Sequence, residues 1–534
     1  MHASLVPRLR VLAGIAGLLA VMVVSGQAAE QRPVAARAAA PTHGKAATRL
    51  LIRNAMVIYG NAKPAFGPVD ILVQGGVIAR IGSPAPADPP PDAVIDATGK
   101  YVMPGLVNAH MHLQDERAGV AQPFQYEANL LLACGVTTVR DVGSDLEKAK
   151  RWREESAAHR LVAPRILTYT PAWRGRGAAA NGRPGETAAT VRAGVRWAKE
   201  NGADGIKIFG IDRDLLEAVL DESKRLGMRT AAHIAVEETT AKDFAELGVT
   251  SIEHFYGIAD AALDGIQDFP AEHNGANEVH RFGRAGELYI QKNLNPEKLD
   301  QVLDLMVAKG VAWVPTLSIY VASRDALRAQ NLPWYKEYLH PTMEEYWKPD
   351  LAKHGSYFLG WTNTQEVRWK KTYRVWMDAL RRFALKGGLV AAGDDAGFIY
   401  SLYGFGLIQE LELLEEAGFH PLEVIEQATL NGARLLGLDD RLGRVRVGYI
   451  ADLLVVNGNP LDNLRLLNPY GTDVVTRNGR AISNYEPIVP GEPGVKVERG
   501  GGIEWTIKDG VPYHVPTLMK ETREMVSAAR KGTK

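Results

Sequence analysis

The sequence predicts an α/β protein in which strands alternate with amphipathic helices around a parallel sheet, closed or open, with β-rich stretches on both sides. Three observations carry this. After residue 104, apolar strand-like runs recur with helix-period segments behind them, as in "DGIKIFG" followed by "DRDLLEAVLDESKRLG", where Leu215, Leu216, Val219 and Leu220 fall on one helical face. Short turns join these units, and repeated strand–helix units build parallel sheets. Before residue 103 and after about residue 441 the pattern is instead short β runs punctuated by Gly and Pro.

At the start of the chain, Arg8 and Arg10 precede an uncharged apolar run from Val11 to Val24 and then the small residues of "SGQAAE". That order is expected of a secretory signal peptide, residues 1–29, cut near Ala28 or Ala29, which would place the protein in the periplasm or outside the cell. The run is shorter than the roughly 20 residues a spanning helix needs, so no membrane association is expected once it is removed. An uncleaved signal anchor is the alternative, and with no cysteine near the cut a lipoprotein anchor is excluded. Residues 30–48 are Ala-rich and aperiodic, expected as a disordered lead-in.

Residues 49–103, with "LLIRNAMVIY", "VDILVQ" and "GVIARIG", read as the first part of a β domain. The βα array occupies 104–440. Within it "VAWVPTLSIY" (311–320) reads as a strand, and 321–385, rich in Trp and Tyr, as a helical insertion near a site mouth whose aromatic stripes serve packing. β character returns over 441–515, where Asn478-Gly479 and Asp509-Gly510 are two-residue hairpin signals, and a helix from Thr517 to Arg530 lies within the last segment, 516–534. The two β stretches can pair into one small domain built from both ends.

Composition narrows the function classes. Lys plus Arg equals Asp plus Glu, 62 each, so nothing in the charge balance points to nucleic acid or an anionic surface as partner. Cys134 is the one cysteine of the 534 residues, which excludes disulfides within the chain and cysteine zinc sites; in "NLLLACGVTTV" it reads as a small buried apolar residue.

Chemistry begins at "NAHMHL". Along a strand alternate residues share a side, so His110 and His112 project together. If this is the first strand of a barrel, both lie at its C-terminal mouth, where such barrels keep their reacting groups. Later predicted strands end with one metal-competent residue each: Lys207 in "GIKIFG", His233 in "TAAHIAV", His254 in "SIEHFYG" and an Asp in "VAAGDDAGF". Four of the thirteen histidines thus sit at strand ends, which scattered core histidines would not do.

This order of ligand-type residues resembles the amidohydrolase superfamily of metal-dependent hydrolases. "VMPGLVNAHMHL" is similar to its opening, and "ATLNGARLLGLDDRLGRVRVGYIADLLVVNGNPL" to the stretch with which members return to their β domain. The likeness covers about residues 49–485 and is nearest to the branch of imidazolonepropionase and the prolidase-like peptidases. It implies a (β/α)8 TIM barrel with a small β-sandwich-like domain made from both termini. It also implies two divalent ions, zinc above all, one held by His110, His112 and Asp395 and the other by His233 and His254. Lys207, carboxylated by CO2, would bridge them, since an ammonium cannot ligate a cation. A hydroxide shared by the pair would attack the scissile carbonyl, and Asp395 would carry its proton to the leaving nitrogen. The family's small-residue, Gly, Thr, Asp order puts the ligand at Asp395 and sets Asp394 in the Thr place. A plain structural lysine is the alternative at Lys207.

Tyr256, two residues beyond His254, is placed to reach a substrate oxygen, with a packed tyrosine as the alternative; Arg174 and Arg176 in the Gly-rich loop "PAWRGRGAAANGRPG", which also holds Arg183, could clamp a substrate carboxylate, with a solvated basic loop as the alternative. That loop departs from the Gly-Gly-His-like segment of prolidase-like members. Arg140 and Asp141 read as a structural ion pair. The expected activity is hydrolysis of amide, dipeptide-like or cyclic amide C–N bonds in a small-molecule substrate. An esterase or lactonase on the same binuclear site and a non-catalytic binding barrel are the alternatives, and a homo-oligomer stands open beside a monomer.

Overall fold

The computed structural model describes residues 39–83, 88–117, 119–172, 186–234, 239–264, 277–280, 282, 288–351, 354–482, 488–489 and 491–532. Arg174, Arg176 and Arg183 lie outside the described residues, as does the expected signal segment.

Five strands open the chain: β1 (Arg49–Val57), β2 (Phe66–Gln74), β3 (Val77–Ile81), β4 (Ala93–Asp96) and β5 (Lys100–Pro104). Seven more form the parallel sheet: β6 (Leu106–Met111), β7 (Val136–Val142), β8 (Arg165–Pro171), β9 (Gly205–Ile208), β10 (Arg229–Ala232), β11 (Ser251–Glu253) and β12 (Ala312–Val314), paired in sequence order. The last three of the main sheets are β13 (Leu453–Asn457), β14 (Ile503–Lys508) and β15 (Val511–His514).

Residues 389–395 close the seven strands into a barrel. On one side Trp313 N donates to Leu389 O at 2.9 Å and Ala391 N to Trp313 O at 3.1 Å; on the other, Ala109 N donates to Ala392 O at 2.9 Å and Asp395 N to His110 O at 2.8 Å. The expected TIM barrel is therefore present, its eighth stave an irregular one. The helices pack outside as their periodicity requires: in Arg213–Arg225, Leu215, Leu216, Val219 and Leu220 are all buried.

The terminal β stretches join into one sheet in the order β15-β14-β13-β5-β1-β2-β3, with β4 beside β1. Val455 of β13 faces Val102 of β5 and Trp505 of β14, which knits C-terminal residues onto N-terminal ones. Both hairpin signals act as such: Asn478 and Gly479 have φ +52° and +80°, Asp509 and Gly510 +52° and +78°, the left-handed pair a tight two-residue turn demands. Gly105 alone separates β5 from β6 and passes the chain from sheet to barrel; a Cβ there would collide with the Thr137 side chain.

Three expectations change. Residues 39–48 are bonded rather than loose, with Val94 N donating to Ala39 O at 3.0 Å and Gly44 N to Pro512 O at 2.9 Å, because they add polar partners along the sheet. The strand expected over 311–320 stops at Val314; Thr316 turns to φ +50° and Leu317–Tyr320 is a 3-10 turn. The Arg140–Asp141 ion pair does not form, since both carboxylate oxygens of Glu253 take the guanidinium instead. Within 321–385 the described residues form short helices over 321–346 and the long helix Asn363–Leu385, whose Trp369, Tyr373, Trp376 and Phe383 are buried as packing. Cys134 is free and buried. No described helix is long and apolar enough to cross a membrane.

Candidate metal centre

Every residue of β6 is buried, and its alternation carries His110 to the barrel mouth with His112 just past the strand's end. Buried polar partners then fix each ring. His110 Nδ1 lies 2.5 Å from Glu253 Oε2, and Glu253 is itself gripped by Arg140 Nη2 at 2.8 Å to both oxygens while Arg140 Nη1 donates to Ser251 Oγ at 2.8 Å. All three of His110, Glu253 and Arg140 are essentially without solvent exposure. With Nδ1 occupied, the tautomer that geometry assigns to His110 leaves Nε2 as the ligand atom. His254 is treated alike: its Nδ1 meets Thr316 Oγ1 at 2.6 Å, which turns Nε2 inward.

Asp395 stands between these rings. Its Oδ1 is 3.3 Å from His112 Nε2 and 3.6 Å from His110 Nε2, and its Oδ2 is 4.0 Å from His254 Nε2. His110, His254 and Asp395 each offer a ligand atom within 4.8 Å of the others. This trio draws from both ligand sets expected of the sequence, with Asp395 between them. The neighbouring carboxylate points elsewhere, Asp394 Oδ1 accepting from Asn108 Nδ2 at 2.7 Å. Strand alternation does not make that choice; the left-handed φ of +51° at Asp395 does, and His254 at +63° leaves its strand the same way.

His233 follows β10, its N–H donating to Ile208 O at 2.8 Å, and its ring centroid is 4.7 Å from that of His254. Lys207, on β9, is 1% exposed, and its Nζ lies 5.4 Å from the Phe209 ring centroid. Burial lowers the Lys207 ammonium to about 8 against the opposing pull of Glu253 and Asp395. Burial would raise the Asp395 carboxyl, but His110, His112 and Lys207 outweigh it and hold it at about 2. Burial first and Lys207 second push His110 well below the ordinary imidazole range, toward the neutral, metal-competent form.

Of the expected substrate residues, Tyr256 is buried with its ring 5.6 Å from His233 and 6.1 Å from His254. Other residues at the mouth carry no sequence signal. Glu253 looks like any strand glutamate beside a histidine. Arg117, in the polar-looking "DERAG", is buried; its Nη2 donates to His112 O at 3.1 Å, its Nε to Tyr403 OH at 3.0 Å, and it lies 4.0 Å from the Phe398 centroid. Phe398 also contacts His112, at 5.7 Å, and His354, at 4.8 Å, and the His354 Nδ1 bonds Glu278. His354 sits in the insertion, off any strand end, so spacing could not mark it.

The residues fit a cation site. Among the described residues, Lys207 Nζ is buried with no hydrogen-bond partner, an expensive state for a polar atom unless something else binds it, and His110 Nε2 and Asp395 Oδ1 are buried facing each other at 3.6 Å, too long for a hydrogen bond.

Comparison with known proteins agrees with this geometry. Residues 101–482 match the model of the amidohydrolase family, and the chain belongs to that family. It is 42% identical over 64 residues to the 5-methylthioadenosine/S-adenosylhomocysteine deaminase of Pyrococcus furiosus, a match covering 12% of this chain and 15% of that one. The chain thus spans far less than two thirds of that relative's length. Among solved structures, a putative prolidase from Bifidobacterium longum superposes with a TM-score of 0.59 at 22% identity, covering 90% of this chain and 100% of that one. A bottromycin amidohydrolase does so with a TM-score of 0.61 at 19% identity, covering 91% and 92%. Both likenesses are of fold.

Proposed function

We propose that the protein is an exported hydrolase of amide-type C–N bonds that works with two divalent ions, zinc above all. His110, His112 and Asp395 would hold one and His233 and His254 the other, with Lys207 as a carbamate between them. The observation that carries this reading is the convergence of ligand atoms of His110, His254 and Asp395 within 4.8 Å of one another at the C-terminal mouth of the barrel, with the buried Lys207 Nζ lacking a hydrogen-bond partner. When bound, such ions supply a water nucleophile at neutral pH and polarise the scissile carbonyl.

The chain's own residues do the rest. Glu253 and Thr316 fix the two ring orientations through Nδ1, so both Nε2 atoms are presented without reorganisation. Lowering Lys207 to about 8 raises the share of neutral amine, the form whose lone pair adds to CO2. Asp395, ionised at neutral pH, takes the proton of the attacking water and passes it to the leaving nitrogen, so the amine departs neutral. The relative from Pyrococcus furiosus is named a deaminase, also a C–N reaction. The order of Arg8, Arg10, the Val11–Val24 run and "SGQAAE" supports export to the periplasm or beyond.

Elemental analysis and activity panels test the proposal together. Protein expressed with zinc supplied is expected to carry about two ions per chain and to release amine from dipeptides or N-acyl amino acids. Turnover of esters or lactones alone would overturn the amide assignment. A chain that takes up no metal would overturn the whole reading.

A further inference from the structure

The solvent-facing rim of the centre contains an apolar ring that the ligand set does not use. Phe209 follows β9, two residues past Lys207, and is half-buried, as are His112, His233 and Gly143. Its ring centroid lies 6.1 Å from that of His233. Its tip points toward Gly143: a Cβ built there would lie 3.9 Å from Phe209 Cζ and 3.6 Å from His112 Cε1 and Nδ1. Those are ordinary van der Waals separations, so a group at that point touches the Phe209 ring and the His112 imidazole together. The chain keeps the point clear, because Gly143 has φ +139°, a backbone conformation that side-chain-bearing residues rarely adopt.

Resting on the function proposed above, we propose that this slot between Phe209 and His112, over Gly143, receives a flat apolar group of the substrate, so that the preferred amides carry an aromatic ring close to the scissile carbonyl. Covering the open part of this half-buried ring with another apolar surface removes further apolar area from water. The two walls are a phenyl and an imidazole, and rings of this kind gain from stacked or edge-to-face contact with a third ring beyond the area they bury. His112 keeps its ligand role in this arrangement, since its Nε2 is turned to Asp395 at 3.3 Å while Nδ1 and Cε1 form the slot wall. Phe398 lies against another side of the same imidazole, at 5.7 Å, and holds the wall in place.

The test uses two probes that anchor on zinc without being turned over, acetohydroxamate and phenylacetohydroxamate, titrated into the zinc-loaded full chain by calorimetry. The phenyl probe is expected to bind about tenfold or more tightly, and Phe209→Ala to bring the ratio of the two affinities near one at the same zinc content. Equal affinities in the unmodified protein, or a ratio that Phe209→Ala leaves unmoved, would overturn the slot while leaving the metal centre standing. If neither probe binds and no zinc is retained, the metal centre fails and the slot with it. The unmodified protein alone decides the matter should Phe209→Ala not fold.

Discussion

The sheet built from both termini and the mouth of the barrel follow opposite rules. In the sheet, Leu50, Ile52, Val57, Val455, Trp505 and Ile507 pack into one apolar cluster, and the left-handed turn at Asp509-Gly510 uses residues that tolerate it. At the mouth, His254, Thr316 and Asp395 take φ values of +63°, +50° and +51° without being glycine, and Lys207, Glu253, Asp394 and Glu410 are charged-type groups with almost no exposure. Local strain and buried polarity persist only where surrounding structure over-determines them, and they gather where chemistry is done. The contrast separates what the protein spends on stability from what it spends on function.

If that division is right, substitutions at the mouth and in the sheet should have separable effects. The largest is expected from Asp395→Ala, a fall of about 10⁴-fold in kcat/KM with thermal unfolding moved by only a few degrees, read by steady-state kinetics beside a melting curve. Retained activity would break the comparison outright. Arg140→Met should come next, because it leaves the Glu253 charge buried without its guanidinium partner; urea unfolding should show a loss of about 3–5 kcal/mol together with lost zinc.

Leu50→Ala, in the sheet, should cost about 2–4 kcal/mol in the same unfolding assay while zinc content per folded chain stays as it was. Zinc loss there would show that the two regions are not independent. A pH series sharpens the point further. Burial raises the Glu410 carboxyl from 4.5 to about 8 despite its bonds from Leu317 N and Ser318 N, so the folded state holds a proton that the unfolded chain releases. The stability from that proton is complete below about 4.5 and is lost as pH rises through about 8. Glu410→Gln should therefore flatten the decline in unfolding free energy between these values. Part of the slope should remain, since Asp141 and Asp394 are raised in the same direction, each to about 7.

The smallest effect is expected from Thr316→Val, which removes the oxygen that orients His254. Zinc affinity, measured against a competing chelator, should weaken about tenfold, and Thr316→Ser should restore it. A Thr316→Val protein with undiminished affinity would mean that backbone geometry alone aims the ring.

Much of this was legible in advance because it depends on neighbours along the chain. Two-residue alternation put His110 and His112 on one side of β6, helical periodicity found the buried face of Arg213–Arg225, and turn chemistry marked both hairpins. Glu253 was not legible as the anchor of His110, since the two are 143 positions apart and Arg140, which holds Glu253, is 113 positions from it. Nor was the break at Thr316, where the need to reach His254 overrides the β tendency of "VAWVPTLSIY". His354 had no spacing to betray it, because it reaches the mouth from an insertion.

By itself, then, the sequence determined which residue types close the strands that build the site and where β runs give way to helices, because alternation, periodicity and turn preference act over a few residues. Only the tertiary structure decided that the two terminal β stretches share a sheet, that Arg140 serves Glu253 rather than Asp141, and that Gly143 leaves a slot beside Phe209. Those outcomes depend on left-handed backbone turns and on contacts between distant segments, which exist only once the barrel has closed.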